Sequence, residues 1–410
     1  MSTPPMTVAS SLQALLRFAW DREVFTANDA IGALGLSRST TIEGLNRLVT
    51  RGRLRELPNA REAGDYRKGR PSRRFTLRED AAVVVGVDAG QAQLLVTVAD
   101  LRGAALVSRV SSSGDPGLKS ATSDETRRAA ISDAVDAALA DAGVSREAVA
   151  SVCVGVPAPV HRDGRSPAHP GGFWQRMNPD LRTLFSWAPV VRVENDASLA
   201  SVAEHAVGAC VGLTDTVTLL AGRRLGAGVV VDGHLLRGHH GGVGELVVIR
   251  HLKGVETVIG LGDRVAEWAR DVGDSGRLPA DHPFRRPDVT AQTVFDLAAA
   301  GDGEAIDLVE RVGHATARLV GTLGSLFDPS HVVVAGGVAE GIEPALVVAR
   351  ELLAAELDLP TPVLVASNLG ADVVSVGAVA AAVEAARDHA VLMVDATDSD
   401  RSPWRPGGSA

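Results

Sequence analysis

The segment Gly35-Leu36-Ser37-Arg38-Ser39-Thr40-Thr41 gathers four hydroxyls and a guanidinium where a helical pattern begins. Such a helix start suits nucleic acid. Hydroxyls and free backbone N–H groups take phosphate oxygens, and arginine spans O6 and N7 of guanine. Ser37 is in position to cap the helix, and Arg38, Ser39, Thr40, Glu43 and Arg47 fall on its outer face. The DNA-binding candidates here are Ser37, Arg38, Ser39, Thr40, Thr41 and Arg47. A second group follows in Arg67-Lys68-Gly69-Arg70-Pro71-Ser72-Arg73-Arg74, with Arg67, Lys68, Arg70 and Arg73 as candidates. Its glycine and proline let backbone lie close to a groove. Neutralising several phosphates would make binding steeply salt-dependent. A charged loop is equally a solvated one, and a non-DNA docking module would look similar. The helix start and the basic loop together favour duplex DNA.

Charge and composition bound the alternatives. Residues 1–80 carry 14 Lys+Arg against 9 Asp+Glu, a net of +5, and the rest of the chain carries 27 against 41, a net of −14. A basic module on an acidic body confines any polyanion contact to the first part. The 410 residues suggest two or three domains, at ~150 residues each. A hydrophobic share of 45% and a charged share of 22% exclude a disordered or collagen-like chain. Aromatics are only 3%, so the core is Ala, Val and Leu. No run approaches ~18 apolar residues, so neither a spanning helix nor membrane contact is expected. Met1–Ser11 lacks the basic and apolar stretches of a signal peptide. Cys153 and Cys210 are too few for a disulfide framework and read as small core residues of a protein in a reducing cytosol. His239-His240 lies in a glycine-rich turn without cysteine and reads as polar loop. Neither a metal nor a cofactor is expected.

The elements that must hold these groups are legible from periodicity. Val8, Leu12, Leu15, Leu16 and Ala19 have helical spacing. Thr26-x-x-Asp29 is a capping pair for a second helix that Gly35 ends. The third helix carries Ile42, Leu45, Leu48 and Val49 inward and stops at Gly52. Arg53–Leu57 and Arg73–Leu77 alternate as two strands. Three helices and a two-stranded ribbon make a winged helix-turn-helix over residues 1–80. From Ala82 onward, strands at 83–90, 94–99, 149–156, 190–194, 216–220, 228–231, 331–335 and 363–366 alternate with helices at 124–142, 197–207, 264–271, 305–326, 343–357 and 373–389, which is an α/β body. The polar residues 395–410 are expected to be a disordered tail.

Six segments in this order resemble the ROK (repressor, open reading frame, kinase) family. They are the helix-turn-helix with Gly69-Arg70-Pro71, Gly155-Val156-Pro157-Ala158-Pro159, Glu194-Asn195-Asp196-Ala197, Gly222–Gly233 with Gly241-Gly242-Val243-Gly244-Glu245, Asp328-Pro329 through Val338, and Gly370-Ala371-Asp372 with Gly377-Ala378. The resemblance implies a two-lobed, actin-like (ribonuclease-H-like) body with a cleft. It places lobe 1 at 81–195, completed by a closing helix at 372–394, and lobe 2 at 196–371. It also implies that Asp196 stands where the family's kinases keep their general base, with Asn195, Glu245 and Glu256 as further sugar contacts. A carboxylate accepts a sugar hydroxyl with or without catalysis. Trp174 is either a sugar-stacking ring or core.

The departures from the family carry as much information. Its first phosphate loop reads Asp-x-Gly-Gly-Thr-Lys, and here the chain has Asp88-Ala89-Gly90-Gln91-Ala92-Gln93. Its second reads Gly-Thr-Gly-x-Gly-x-Gly, and here it is Gly222-Arg223-Arg224-Leu225-Gly226-Ala227-Gly228. Phosphate cradles need close backbone amides, which large side chains obstruct. Arg223 and Arg224 are instead candidates for holding an anionic group of an effector. Many members place His and a cysteine cluster after the Glu245 position; here Val248 replaces the His and no Cys follows. The expected protein is therefore not an enzyme. It is a sequence-specific DNA-binding transcriptional regulator, a repressor, acting as a homodimer or homotetramer on a palindromic operator with a sugar or sugar-phosphate effector. The alternative is an ATP-dependent sugar kinase with a DNA-binding extension.

Overall fold

The computed structural model describes residues 8–58, 72–91, 93–112, 123–357 and 360–390. The expected tail at 395–410 lies outside them, as do Arg67, Lys68 and Arg70. The first unit runs α1 (Val8–Trp20), β1 (Phe25–Thr26), α2 (Ala27–Leu34), α3 (Arg38–Thr50), β2 (Leu54–Leu57) and β3 (Arg74–Leu77). Thr26 and Asp29 form a reciprocal capping box, Gly35 ends α2 at φ 64°, and Ser37 caps α3. The ribbon has three strands, not two, in the antiparallel order β1-β3-β2. Phe25 of β1 is the reason the short strand holds. Its ring stacks between Phe18 and Phe75, with centroids 5.2 and 5.9 Å away.

Two five-stranded sheets follow. The first lobe contains β4 (Val83–Ala89), β5 (Gln93–Asp100), β6 (Ala105–Ser112), α4 (Asp124–Asp141), β7 (Val149–Val156), the short α5 (Phe173–Met177) and α6 (Leu181–Leu184), and β8 (Val190–Asn195). α7 (Asp196–Val207) then leads to β9 (Thr216–Ala221), β10 (Leu225–Val231), β11 (His234–Leu235), α8 (Leu261–Asp274), α9 (Ala291–Ala299), α10 (Gly303–Phe327), β12 (His331–Ala335), α11 (Glu343–Glu356), β13 (Val363–Ala366) and α12 (Val373–Asp388). The sheets have the orders β6-β5-β4-β7-β8 and β11-β10-β9-β12-β13. In each, three antiparallel strands are extended by two parallel ones. The same mixed topology occurs twice, as in actin-like folds.

α7 and α12 pack together between the sheets. Gly377 sits so close to the Leu199 carbonyl that a methyl there would overlap it. α12 lies across β4 and β7 of the first sheet. One hydrophobic core runs from Leu15, Leu45 and Phe75 through Leu101 to Ala378 and Ala382, so the first unit and lobe 1 are joined. Trp20 Nε1 donates to the Leu101 carbonyl at 2.9 Å, Arg102 donates back to the Trp20 and Arg22 carbonyls, and Arg17 donates to the Asp388 carbonyl at 2.7 Å. Cys153 and Cys210 are buried free thiols, and burial pushes Cys210 up to about 11. Among the described residues no helix is long and apolar enough to cross a membrane.

Candidate functional site

Two places bring the expected side chains together. The first is the outer face of α3. Ser37, Arg38, Ser39, Glu43 and Arg47 are exposed and Thr40 is half-buried. Ser37 Oγ accepts from the Thr40 N–H at 3.1 Å. Arg47 lies 3.9 Å from Glu43, whereas Arg38 has no side-chain partner among the described residues. Thr41 is a correction. It is fully buried against the unit's core and its hydroxyl donates to the Ser37 carbonyl, because the helix turns it inward beside Leu45 and Leu48. Arg73 also has a different role from the one expected. Its guanidinium makes a two-pronged bond to Glu56 (2.7 and 2.6 Å) and a third bond to Asn46 Oδ1 (2.7 Å), and the carboxylate raises its pKa further.

The second place is the floor between the lobes. Asp88 ends β4, Asp196 opens α7, and Asp372 stands at the foot of α12. Burial pushes Asp88 up to about 7, aided by the charge of Asp372 and opposed by Arg127. Burial pushes Asp196 to about 7 as well, aided by Asp88 and Glu245 and opposed by the Ala197 N–H, which donates to its Oδ1 at 2.8 Å. Glu245 is raised by burial and lowered by Arg224. Arg224 thus stands close enough to act on the carboxylate floor. Arg223 turns toward Asp263 at 4.0 Å. A carboxyl that titrates near neutrality can accept a sugar hydroxyl or take its proton.

Asn195 and Glu256 do not join this floor as free contacts. Asn195 caps α7 by accepting from the Ser198 N–H (3.0 Å), while its amide donates to the Ala158 carbonyl (3.2 Å). Both ends of that amide are therefore engaged by backbone. Glu256 is exposed, and its carboxylate accepts from the Gly254 N–H at 3.4 Å. Trp174 packs on the first-lobe core and against His169, with ring centroids 4.4 Å apart.

Two groups were not foreseen. Asp88 and Asp372 bracket the floor from opposite ends of the chain, and only the fold brings them together. Arg127 is wholly buried in α4 and donates to the carbonyls of Ala89 (2.6 Å), Gly90 (3.5 Å) and Met177 (3.2 Å). It pins the first phosphate loop from behind. A lone arginine on the apolar stripe of Ile131 and Val135 was its available signal.

A model of the ROK family matches residues 84–251 and 266–384. The chain belongs to the ROK family. The bifunctional enzyme NanE/NanK of Brucella melitensis is 31% identical over 225 residues, half of this chain and 40% of that enzyme. The chain thus spans well under two thirds of that relative's length. Among solved structures, a ROK family transcriptional regulator, a homologue of the Escherichia coli MLC protein, superposes with a TM-score of 0.72 at 18% identity, over 93% of this chain and 98% of its own. A ROK glucokinase from Streptomyces griseus, solved with glucose and AMPPNP, gives 0.58 at 24% identity, over 74% of this chain and 100% of its own.

A ROK zinc cluster does not fit this chain. Between Glu245 and Glu256 there is one imidazole, His251, and no thiolate, and Val248 at the His position is 64% exposed. Three N/S donors cannot be assembled there. Among the described residues, no group of three or more His, Cys, Asp and Glu side chains could hold a metal ion. His239 and His240 meet edge to face in their turn, with ring centroids 4.4 Å apart.

Proposed function

We propose that this ROK protein is a sequence-specific DNA-binding transcriptional regulator whose lobes form a ligand-sensing cleft. The observation that carries the reading is the α3 face: a capped helix start, exposed hydroxyls and the exposed Arg38, presented by a three-helix unit with an antiparallel ribbon. This is the plan of a winged helix-turn-helix, in which such a helix enters the major groove. The regulator's wider structural coverage supports it, since at 93% it must extend into the first unit, whereas the glucokinase covers 74%. Arg67, Lys68 and Arg70 contact phosphates. In the cleft, Asp196 and Glu245 accept sugar hydroxyls, and Arg224 faces an anionic substituent of the effector. Two copies pair about a two-fold axis and read a palindrome.

Fluorescence anisotropy of the whole chain on its own upstream DNA, against a scrambled duplex and at two salt concentrations, tests this. Preference for the upstream DNA, with affinity falling steeply as salt rises, is the expected result. Equal, weak binding to both duplexes overturns it. A sugar-kinase reading draws on one observation, the carboxyl of Asp196 titrating near neutrality. It requires ATP turnover over a hexose and amino-sugar panel that Asp196→Asn abolishes. We expect no turnover, because each phosphate loop has lost a glycine and its hydroxyl.

A further inference from the structure

We propose that Asn46 reads base identity from α3, and that Arg73 sets what it reads by holding its side-chain oxygen. This rests on the DNA-binding reading above and names the specificity of that same face. Ser39, Glu43, Asn46 and Thr50 fall at helical spacing on one exposed stripe of α3. Arg73 Nη1 lies 2.7 Å from the Asn46 amide. A guanidinium only donates, so the atom facing it is Oδ1 and the NH2 group faces the other way. Arg73 is fixed in turn. Its Nε and Nη2 donate to the two oxygens of Glu56, and its guanidinium lies over the Phe75 ring at 5.1 Å. The relay Glu56–Arg73–Asn46 therefore ties β2 and β3 to the reading helix. The Asn46 NH2 has no protein partner among the described residues.

An unrestrained asparagine presents its oxygen and its NH2 alike, and reads adenine by using both. Here a full positive charge flanks the oxygen. The amino groups of adenine N6 and cytosine N4 would approach beside that guanidinium. The outward NH2 instead meets acceptors: O6 and N7 of guanine, or O4 of thymine. Asn46 thus selects a keto base over an amino base at one position of each half-site. Arg73 has three of its donors committed within the protein, so it contributes little to phosphate binding.

Binding-site selection from a random duplex library, with the full-length chain and its variants, decides the matter. The wild-type chain is expected to prefer guanine or thymine at one position by about tenfold. Asn46→Asp replaces the outward donor by an acceptor and should invert that position to cytosine or adenine. Asn46→Ala should flatten it. Arg73→Gln frees the amide and should broaden the same position without changing the slope of affinity against salt. Both residues are exposed, so the variants are expected to melt as the wild type does. Unchanged motifs in Asn46→Asp and Asn46→Ala would overturn the proposal. So would an Arg73→Gln variant whose motif is intact and whose salt slope drops by about one phosphate. If the wild-type chain selects no motif, the DNA-binding reading itself fails, and that result differs from a wild-type motif that the variants leave alone.

Discussion

Burial raises Asp88 and Asp196 to about 7, helped by the charge of Asp372 at the first and by Asp88 and Glu245 at the second, so the floor of the cleft titrates around neutral pH. In the folded chain both carboxyls keep their protons up to about pH 7, and in the unfolded chain they lose them near pH 4. Stability therefore falls as pH rises through that window. Asp88→Asn removes one of the two titrations. It should stabilise the chain relative to wild type, and the gain should grow by roughly 2 kcal/mol from pH 5 to pH 8. Urea unfolding at the two pH values measures it, and an equal effect at both would mean that Asp88 ionises at an ordinary pKa. On the other face, Arg38 has no side-chain partner among the described residues, whereas Arg47 is shared with Glu43. Arg38→Ala should weaken binding to the preferred duplex by ~1–3 kcal/mol, and Arg47→Ala by less. Anisotropy titrations on matched and scrambled duplexes separate the two.

At the scale of elements, α7 and α12 form a close joint, because Gly377 lets the Leu199 carbonyl approach. Gly377→Ala should push the helices apart at a cost of about 1–3 kcal/mol, seen as a lower urea midpoint with an unchanged slope. Legibility in the sequence follows the same logic of locality. The caps at Thr26 and Ser37, the stop at Gly35 and the apolar strands β4, β7, β9 and β12 were readable because each depends on neighbours along the chain. β1 was not, since two residues carry no period and Phe25 is held by Phe18 and Phe75. β6 was missed because it is an edge strand whose Leu106 and Val110 face outward, which blurs the alternation. Thr41 was misassigned since a hydroxyl at a helix start fits phosphate and core equally well until the helix phase is fixed. The Asp88–Asp372 pair joins residues far apart along the chain, and their spacing in the sequence gives no sign that they meet.

At the scale of the molecule, the first unit travels with lobe 1, since Trp20, Arg17 and Arg102 fasten it to the β5–β6 turn and to α12. Lobe 2 reaches lobe 1 by a different contact. Arg237, just after β11, makes a two-pronged bond to Glu194 of β8 at 3.1 and 2.9 Å, with the carboxylate side chain only 14% exposed. Beside it, Gly241 of lobe 2 lies against the Val160 backbone, with no room for a side chain. These contacts close one wall of the cleft next to Asn195 and Asp196. Arg237→Ala leaves a largely buried carboxylate without its partner, at a cost of about 2–3 kcal/mol. Lobe opening relieves that cost by letting water reach Glu194, so the variant should populate a wider cleft and show a larger radius of gyration by X-ray scattering. If the cleft and the reading helices form one coupled system, duplex affinity must change several-fold in the same variant, because a shift in one equilibrium is felt reciprocally by the other. A larger radius with unchanged affinity would mean that lobe 2 moves independently of the first unit.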